Sequence, residues 1–172
     1  MFIPVILGTA RNGRRSENPA KLMLSEVKNF GFETELIDAR DFLIGHTDNT
    51  GQTIEAQKLS EIIKRSDALV IVSPEYNHGY PGELKIMLDM LYAEYAGKPV
   101  GVCGVSVGPY GGVRAVEQLR QVAIELSMIP IREAIYFGNA GTLFDEAGNI
   151  VDTTYHDRIQ KFLGTLKGAI KK

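Results

Sequence analysis

The sequence predicts an α/β protein in which a five-stranded parallel sheet is covered by helices on both faces. Three observations carry that prediction. Five apolar runs of strand length alternate with stretches whose apolar residues recur at helical spacing. The leading runs are nearly continuous rather than alternating, as strands buried on both faces require. The three loops of most unusual composition each follow a strand, at the carboxyl edge where open α/β sheets bind ligands.

Residues 2–7, FIPVIL, form the first expected strand, ended by Gly8. Asn18 and Pro19 mark a helix start, Asn as cap and Pro at the first helical position. Ala20, Met23, Leu24, Val27 and Phe30 then share one helical face, and Gly31 closes it. A weaker strand spans 33–38, with Leu36 and Ile37 as its apolar part. Residues 39–52 have no period, and His46, Asp48, Asn49 and Gly51 read there as a solvated loop rather than a metal site. Thr53 caps a helix that turns Leu59, Ile62 and Ile63 inward.

The third strand, 68–72, runs into the polar stretch SPEYNHGYPGELK and a helix with Leu84, Met87, Leu88 and Leu91 on one face. Ile86 and Met90 form a second stripe. A helix apolar on two sides is buried on two sides, either by a subunit partner or by the 92–96 loop. A glycine-punctuated strand at 98–107 leads to the loop SVGPYGG, and Val116, Leu119, Ala123 and Leu126 face the core from the next helix. A fifth strand at 130–135, a short hairpin at 144–151 around DEAGN and a last helix with Ile159, Phe162, Leu163, Leu166 and Ile170 inward complete the chain. With neither repeat nor linker, residues 1–172 read as a single domain.

The composition excludes several classes. A net charge of -2 argues against nucleic acid as the main partner, since phosphate backbones call for a basic face. The one cysteine, Cys103, lies in an apolar run, so a disulfide framework and a thiolate metal centre are both excluded, and a buried hydrophobe is expected. The apolar start is too short for a signal core or a membrane span, so no membrane partner and a cytoplasmic location are expected.

The first loop, GTARNGRRSEN, resembles a P-loop until Arg14 and Arg15 stand where lysine and a hydroxyl residue would hold phosphate and magnesium. What remains is a loop with Thr9, Arg11, Ser16 and Asn18 ahead of a helix N-terminus. It reads either as a cradle for one phosphate monoester or as a solvated basic turn formed by Arg11, Arg14 and Arg15. In the second loop, Glu75 and His78 invite an acid–base reading, but there is no nucleophile elbow to complete it. Tyr76 and the loop backbone suit a planar heterocycle instead, and Gly108, Gly111 and Gly112 allow the third loop to approach the same ring. In the strand order 2-1-3-4-5 the three loops border one cleft.

Together GTARxxxxSEN, SPEYNHGYPGELK with Asp89, and GVSVGPYGGVRA resemble the NADPH-dependent FMN reductase family over nearly the whole chain. That resemblance implies a flavodoxin-like three-layer sandwich binding FMN without a covalent link. It assigns the FMN phosphate to Thr9, Arg11, Ser16 and Asn18, one side of the ring to Pro74, Glu75, Tyr76 and Asn77, and the other side to residues 106–112, including Ser106, Gly108, Tyr110, Gly111 and Gly112. The chain departs from the family at Ile86, where the family usually has Asn, and in carrying extra arginines. Arg15 among them would bias the site toward NADPH over NADH.

The implied function is hydride transfer from NADPH or NADH to FMN and on to a small-molecule acceptor: a quinone, an azo compound, a metal oxyanion or free flavin. No catalytic side chain is assigned, because the flavin carries the chemistry. An FMN electron carrier of the flavodoxin type is the alternative, and a nucleotide-binding regulator without flavin a third reading. The family further implies a homodimer or homotetramer, with the 82–92 helix as a candidate interface.

Overall fold

Residues 1–170 are described by the computed structural model. The apolar runs pair side by side as β1 (Val5–Leu7), β2 (Leu36–Asp38), β3 (Leu69–Pro74), β4 (Pro99–Val105) and β5 (Ile129–Phe137). All pairings are parallel and the order is β2-β1-β3-β4-β5. The helices are α1 (Glu17–Asn29), α2 (Ile54–Arg65), α3 (Gly82–Leu88), α4 (Val113–Glu125) and α5 (Thr154–Ala169), with short 3₁₀ turns at Ala39–Phe42 and Ala93–Tyr95.

Side chains alternate across the sheet and so build two cores. Ile6, Leu69, Ile71, Val100 and Val102 pack with residues of α2, α3 and α4, including Leu59, Leu84, Met87 and Leu119. Val5, Leu7, Val70, Val72, Cys103 and Val105 pack with Met23 and Val27 of α1 and Ile159, Phe162 and Leu163 of α5. This is the expected three-layer sandwich. Cys103 is fully buried, and burial pushes its thiol well above the ordinary cysteine range.

The glycines of β4 are space-makers for these layers. A Cβ on Gly101 would stand 2.2 Å from Phe162 Cζ, so the ring occupies the place of a side chain. A Cβ on Gly104 would stand 2.3 Å from the carbonyl oxygen of Gly111, so the third loop lies directly on the strand.

The strands end at different heights. Leu7, the last residue of β1, is level with Val72 and with Asp38, the last residue of β2. The neighbouring β3 and β4 continue two residues further, to the pair Pro74 and Val105. At about 3.3 Å per residue this leaves a recess roughly 7 Å deep above β1. The first loop forms its floor.

Several elements differ from expectation. The α1 helix begins at Glu17 with Ser16 as its cap residue, which puts Asn18 and Pro19 inside the first turn. Pro19 is tolerated there because first-turn N–H groups have no intrahelical acceptor; the first such bond is Ala20 N to Ser16 O at 3.0 Å. Thr53 does cap α2, accepting from Ala56 N at 3.1 Å. Residues 106 and 107 fall outside β4, because the Ser106 hydroxyl turns back to donate to Gly108 O at 2.8 Å. A single antiparallel bridge, Phe144 with Ile150, closes the 144–151 hairpin.

The second stripe on the 82–92 segment is corrected in part. The α3 helix stops at Leu88, and the chain then turns Met90 into the core, where it is 1% exposed beside the fully buried Tyr95. Cover from within the chain, not a partner, buries Met90. Ile86 stays half-buried against the same core.

Gly101→Ala is expected to cost about 1–3 kcal/mol, the usual price of overpacking. The loss, read from urea unfolding midpoints, should shrink in a Phe162→Leu background, where the ring no longer fills the position.

Candidate functional site

The floor of the recess is held from outside by guanidinium groups. Arg14 Nη1 donates to Thr9 O at 2.6 Å and to Asp38 Oδ1 at 2.6 Å, and Arg14 Nη2 completes a two-pronged pair with Asp38. Arg40 donates to Ala10 O at 3.3 Å and Arg11 O at 2.9 Å. Three consecutive carbonyl oxygens, the groups that would repel an anion, are thus neutralised by cationic donors. Arg14 is buried, so the solvated-turn reading fails for it. The hydrogen bond with Asp38 outweighs burial and raises its pKa further. Arg11 and Arg15 remain exposed.

Ser16 carries the clearest sign of a missing ligand. Its hydroxyl is fully buried at the cap position of α1, makes no capping bond, and has no hydrogen-bond partner among the described residues. An unsatisfied buried hydroxyl costs roughly 1–3 kcal/mol. Natural proteins carry few such groups, and each calls for an explanation such as a ligand or an ordered water; the core Tyr95 hydroxyl is another.

Thr9 is different. Its fully buried hydroxyl donates to Glu83 Oε1 at 2.9 Å, lies 3.2 Å from the Tyr76 phenol and accepts from Arg11 N at 3.3 Å. Its one proton is already committed. Glu83 also accepts from Ala10 N at 2.9 Å. Burial pushes the Glu83 carboxyl upward, but these bonds outweigh it and leave its pKa below the usual carboxylate value.

The second loop is a tight turn. Tyr76 and Gly79 exchange backbone hydrogen bonds at 2.8 and 3.0 Å, and Asn77 and His78 between them have φ of 50° and 69°. Asn and His are among the side chains that adopt that left-handed region most readily. Gln118 of α4 steadies the turn by donating to His78 O at 2.9 Å. Glu75 accepts from Arg114 N at 3.0 Å and Arg114 Nη1 at 2.9 Å, tying the loop to the first turn of α4. Burial raises the Glu75 carboxyl, and the Arg114 donors more than reverse it. Glu75 is therefore an ionised tie. Tyr76 turns its ring toward the first loop, with the Arg11 guanidinium 5.3 Å from the ring centroid.

In the third loop Gly111 and Gly112 have φ of 60° and 80°. Their missing Cβ atoms face protein: each would stand 2.7 Å from an atom of the sheet, Tyr136 Cβ and Val105 N respectively. The loop needs these glycines to seat on β4 and β5. Gly108 alone of the three faces open space.

A cavity of about 320 Å³ lies between the three loops. Of the residues predicted for the site, Arg11, Arg15, Pro74, Glu75, Tyr76 and Ser106 line it. Thr9 and Ser16 are buried within the first loop, and Asn18 lies beside Gly148 of the hairpin. Asn77, at the turn tip, and Gly108, Tyr110, Gly111 and Gly112 are not among its lining residues. Val107, within the expected 106–112 stretch, lines the cavity too, while sequence reasoning missed Asn12, Gly13, Arg14 and Val105 as walls; their position beside predicted loop residues was the available signal. A larger, more open groove runs along β2, the following 3₁₀ turn and α2, contains the Glu35–Arg65 ion pair and shares no residue with the three loops. The residues at the loop cavity fit FMN: exposed arginines for a phosphate, with an orphaned hydroxyl buried in the loop behind them, and an aromatic wall for a ring.

Comparison with known proteins gives the same direction. A quinone reductase of Pseudomonas putida is 33% identical over 161 residues, covering 88% of this chain and 86% of the relative. An NAD(P)H-dependent FMN reductase of Schizosaccharomyces pombe is 34% identical over 136 residues, covering 73% of this chain and 67% of its own. Among solved structures, the flavoenzyme NAD(P)H:(acceptor) oxidoreductase of Paracoccus denitrificans superposes with a TM-score of 0.79 at 22% identity over 98% of both chains. A flavodoxin of Pseudomonas aeruginosa does so with a TM-score of 0.63 at 18% identity over 100% of both chains. These two likenesses establish the flavodoxin-like fold. The sequence pattern of the family described as NADPH-dependent FMN reductase matches residues 1–142, and with the curated relatives this places the chain in that family.

Proposed function

We propose that the protein holds FMN in the cavity between its three loops, takes hydride from NADPH or NADH, and passes electrons to a small acceptor entering the same cleft. When bound, FMN supplies the hydride acceptance and delivery. The chain supplies placement and charge. The observation that carries this reading is the buried, unpartnered Ser16 hydroxyl at the start of α1. A phosphate monoester there gives the hydroxyl the acceptor it lacks, with the helix N-terminus and the exposed guanidinium groups of Arg11 and Arg15 as further donors.

Tyr76 and the backbone of residues 74–76 form one wall for the ring, and Val105, Ser106 and Val107 the opposite one. Glu75 is engaged by Arg114 and keeps that wall in place. No side chain is assigned a proton-transfer step. The electron-carrier alternative is disfavoured by the first-loop arginines, by the modest net charge of -2 and by the reductases among the relatives. The acceptor is a quinone or another small oxidant that reaches the ring edge, consistent with the relatives named quinone reductase. A cytoplasmic location is part of the proposal; among the described residues no helix is long and apolar enough to cross a membrane. So is a homo-oligomer formed through the 82–92 segment. Its outward residues are the half-buried Ile86 and Tyr92, which is 60% exposed.

Protein reconstituted with FMN should be yellow and should bleach on anaerobic addition of NADPH, faster than with NADH if Arg15 biases the donor. Retention of the colour with both donors would favour the carrier, and failure to take up FMN would end the flavin reading. Ser16→Ala should weaken FMN about tenfold or more while leaving riboflavin unchanged in fluorescence titration, since only FMN has a phosphate. The same substitution should stabilise the flavin-free protein by about 1 kcal/mol, because it removes an unsatisfied hydroxyl. Tyr92→Glu should lower the mass found by light scattering, and an unchanged mass would remove this segment as the interface.

A further inference from the structure

Glu83 lies in the first turn of α3 and does not line the cavity. Its carboxylate nevertheless reaches across to the floor of the recess, where Oε1 accepts from both Ala10 N and Thr9 Oγ1. An ionised carboxylate only accepts, so the proton between Glu83 and Thr9 belongs to Thr9. Thr9 has no second proton, so the 3.2 Å contact with Tyr76 is made by the phenol donating to Thr9. The hydrogen bonds therefore run in one direction, from Tyr76 O–H to Thr9 Oγ1 and from Thr9 O–H to Glu83. Donors and acceptors aligned in this way strengthen one another.

The chain links the residue that walls the ring to the loop that faces the phosphate. Arg11 joins at both ends, through its N–H on Thr9 at 3.3 Å and its guanidinium over the Tyr76 ring. We infer that Glu83 is a positioning residue for the cofactor: it fixes the Thr9 proton, and through it the Tyr76 ring and Arg11, before the flavin arrives. The inference rests on the proposed FMN reading. It also assigns Thr9 a role different from direct phosphate binding, since its only proton already points at Glu83.

The test compares Glu83→Ala, Glu83→Gln and Tyr76→Phe in flavin-free protein. The Gln side-chain oxygen still accepts from Ala10 and Thr9, so Glu83→Gln should hold FMN within about threefold of wild type, while Glu83→Ala weakens it about tenfold. In a Tyr76→Phe background, where the chain is already cut, Glu83→Ala should cost less than threefold. Amide hydrogen exchange at Ala10 in the absence of flavin should quicken in Glu83→Ala and remain slow in Glu83→Gln. An FMN affinity unaffected by Glu83→Ala would overturn the inference. So would a Gln variant as weak as Ala, which would make charge the operative property, or an equal cost in both backgrounds. Should wild type itself fail to bind FMN, the flavin reading falls and the positioning role with it, while the exchange data still report whether the hydrogen-bonded chain exists.

Discussion

The site depends on the parallel register of the sheet's central strands. Pairing Leu7 with Val72 while Pro74 pairs with Val105 makes β1 end lower than the two strands beyond it. Backbone hydrogen bonding fixes that offset, so the recess exists independently of any particular side chain in the loops. The loops then line a step that the sheet has already made. Because β2 ends level with β1, Asp38 stands at floor height, where it meets Arg14.

Around the recess, charge is used mainly to fasten one element to another. Asp38 with Arg14 ties β2 to the first loop, Arg40 ties the 3₁₀ turn after β2 to the same loop, Glu75 with Arg114 ties the second loop to α4, and Glu83 ties α3 to Thr9 and Ala10. What is left free is positive: Arg11 and Arg15 are exposed at the cavity. A nearly neutral protein can thus present a local cationic field to an anionic ligand without a basic surface overall.

Much of this was legible in the sequence because apolar runs and turn residues act locally. The continuous runs gave the strands, and the composition of the three loops gave the edge at which they meet. Arg14 looked like its neighbours Arg11 and Arg15 because its partner Asp38 is 24 residues away, and only the β2–β1 pairing brings them together. Glu83 and Thr9 are 74 apart in sequence and equally hidden from any local pattern. Met90 continued a helical stripe on paper, yet the helix ends two residues earlier, and a boundary is where periodicity carries least information. Gly111 and Gly112 of the third loop stood out for their composition as approaches to a ring, but the structure gives them contact with β4 and β5 instead.

The Arg14–Asp38 pair gives the edge of the sheet an unexpected dependence. Strand β2 is three residues long, at the short end of the usual range, and borders only β1. Its anchorage is shared with the first loop, so edge strand and loop form one cooperative unfolding unit rather than two. A ligand that orders the loop would then also slow fraying at Leu36 and Ile37, on the far side of the loop from the cavity. Occupancy of the site would be recorded as resistance of the 33–42 segment to a protease, and the weakest strand of the sheet becomes a reporter of what is bound above its neighbour.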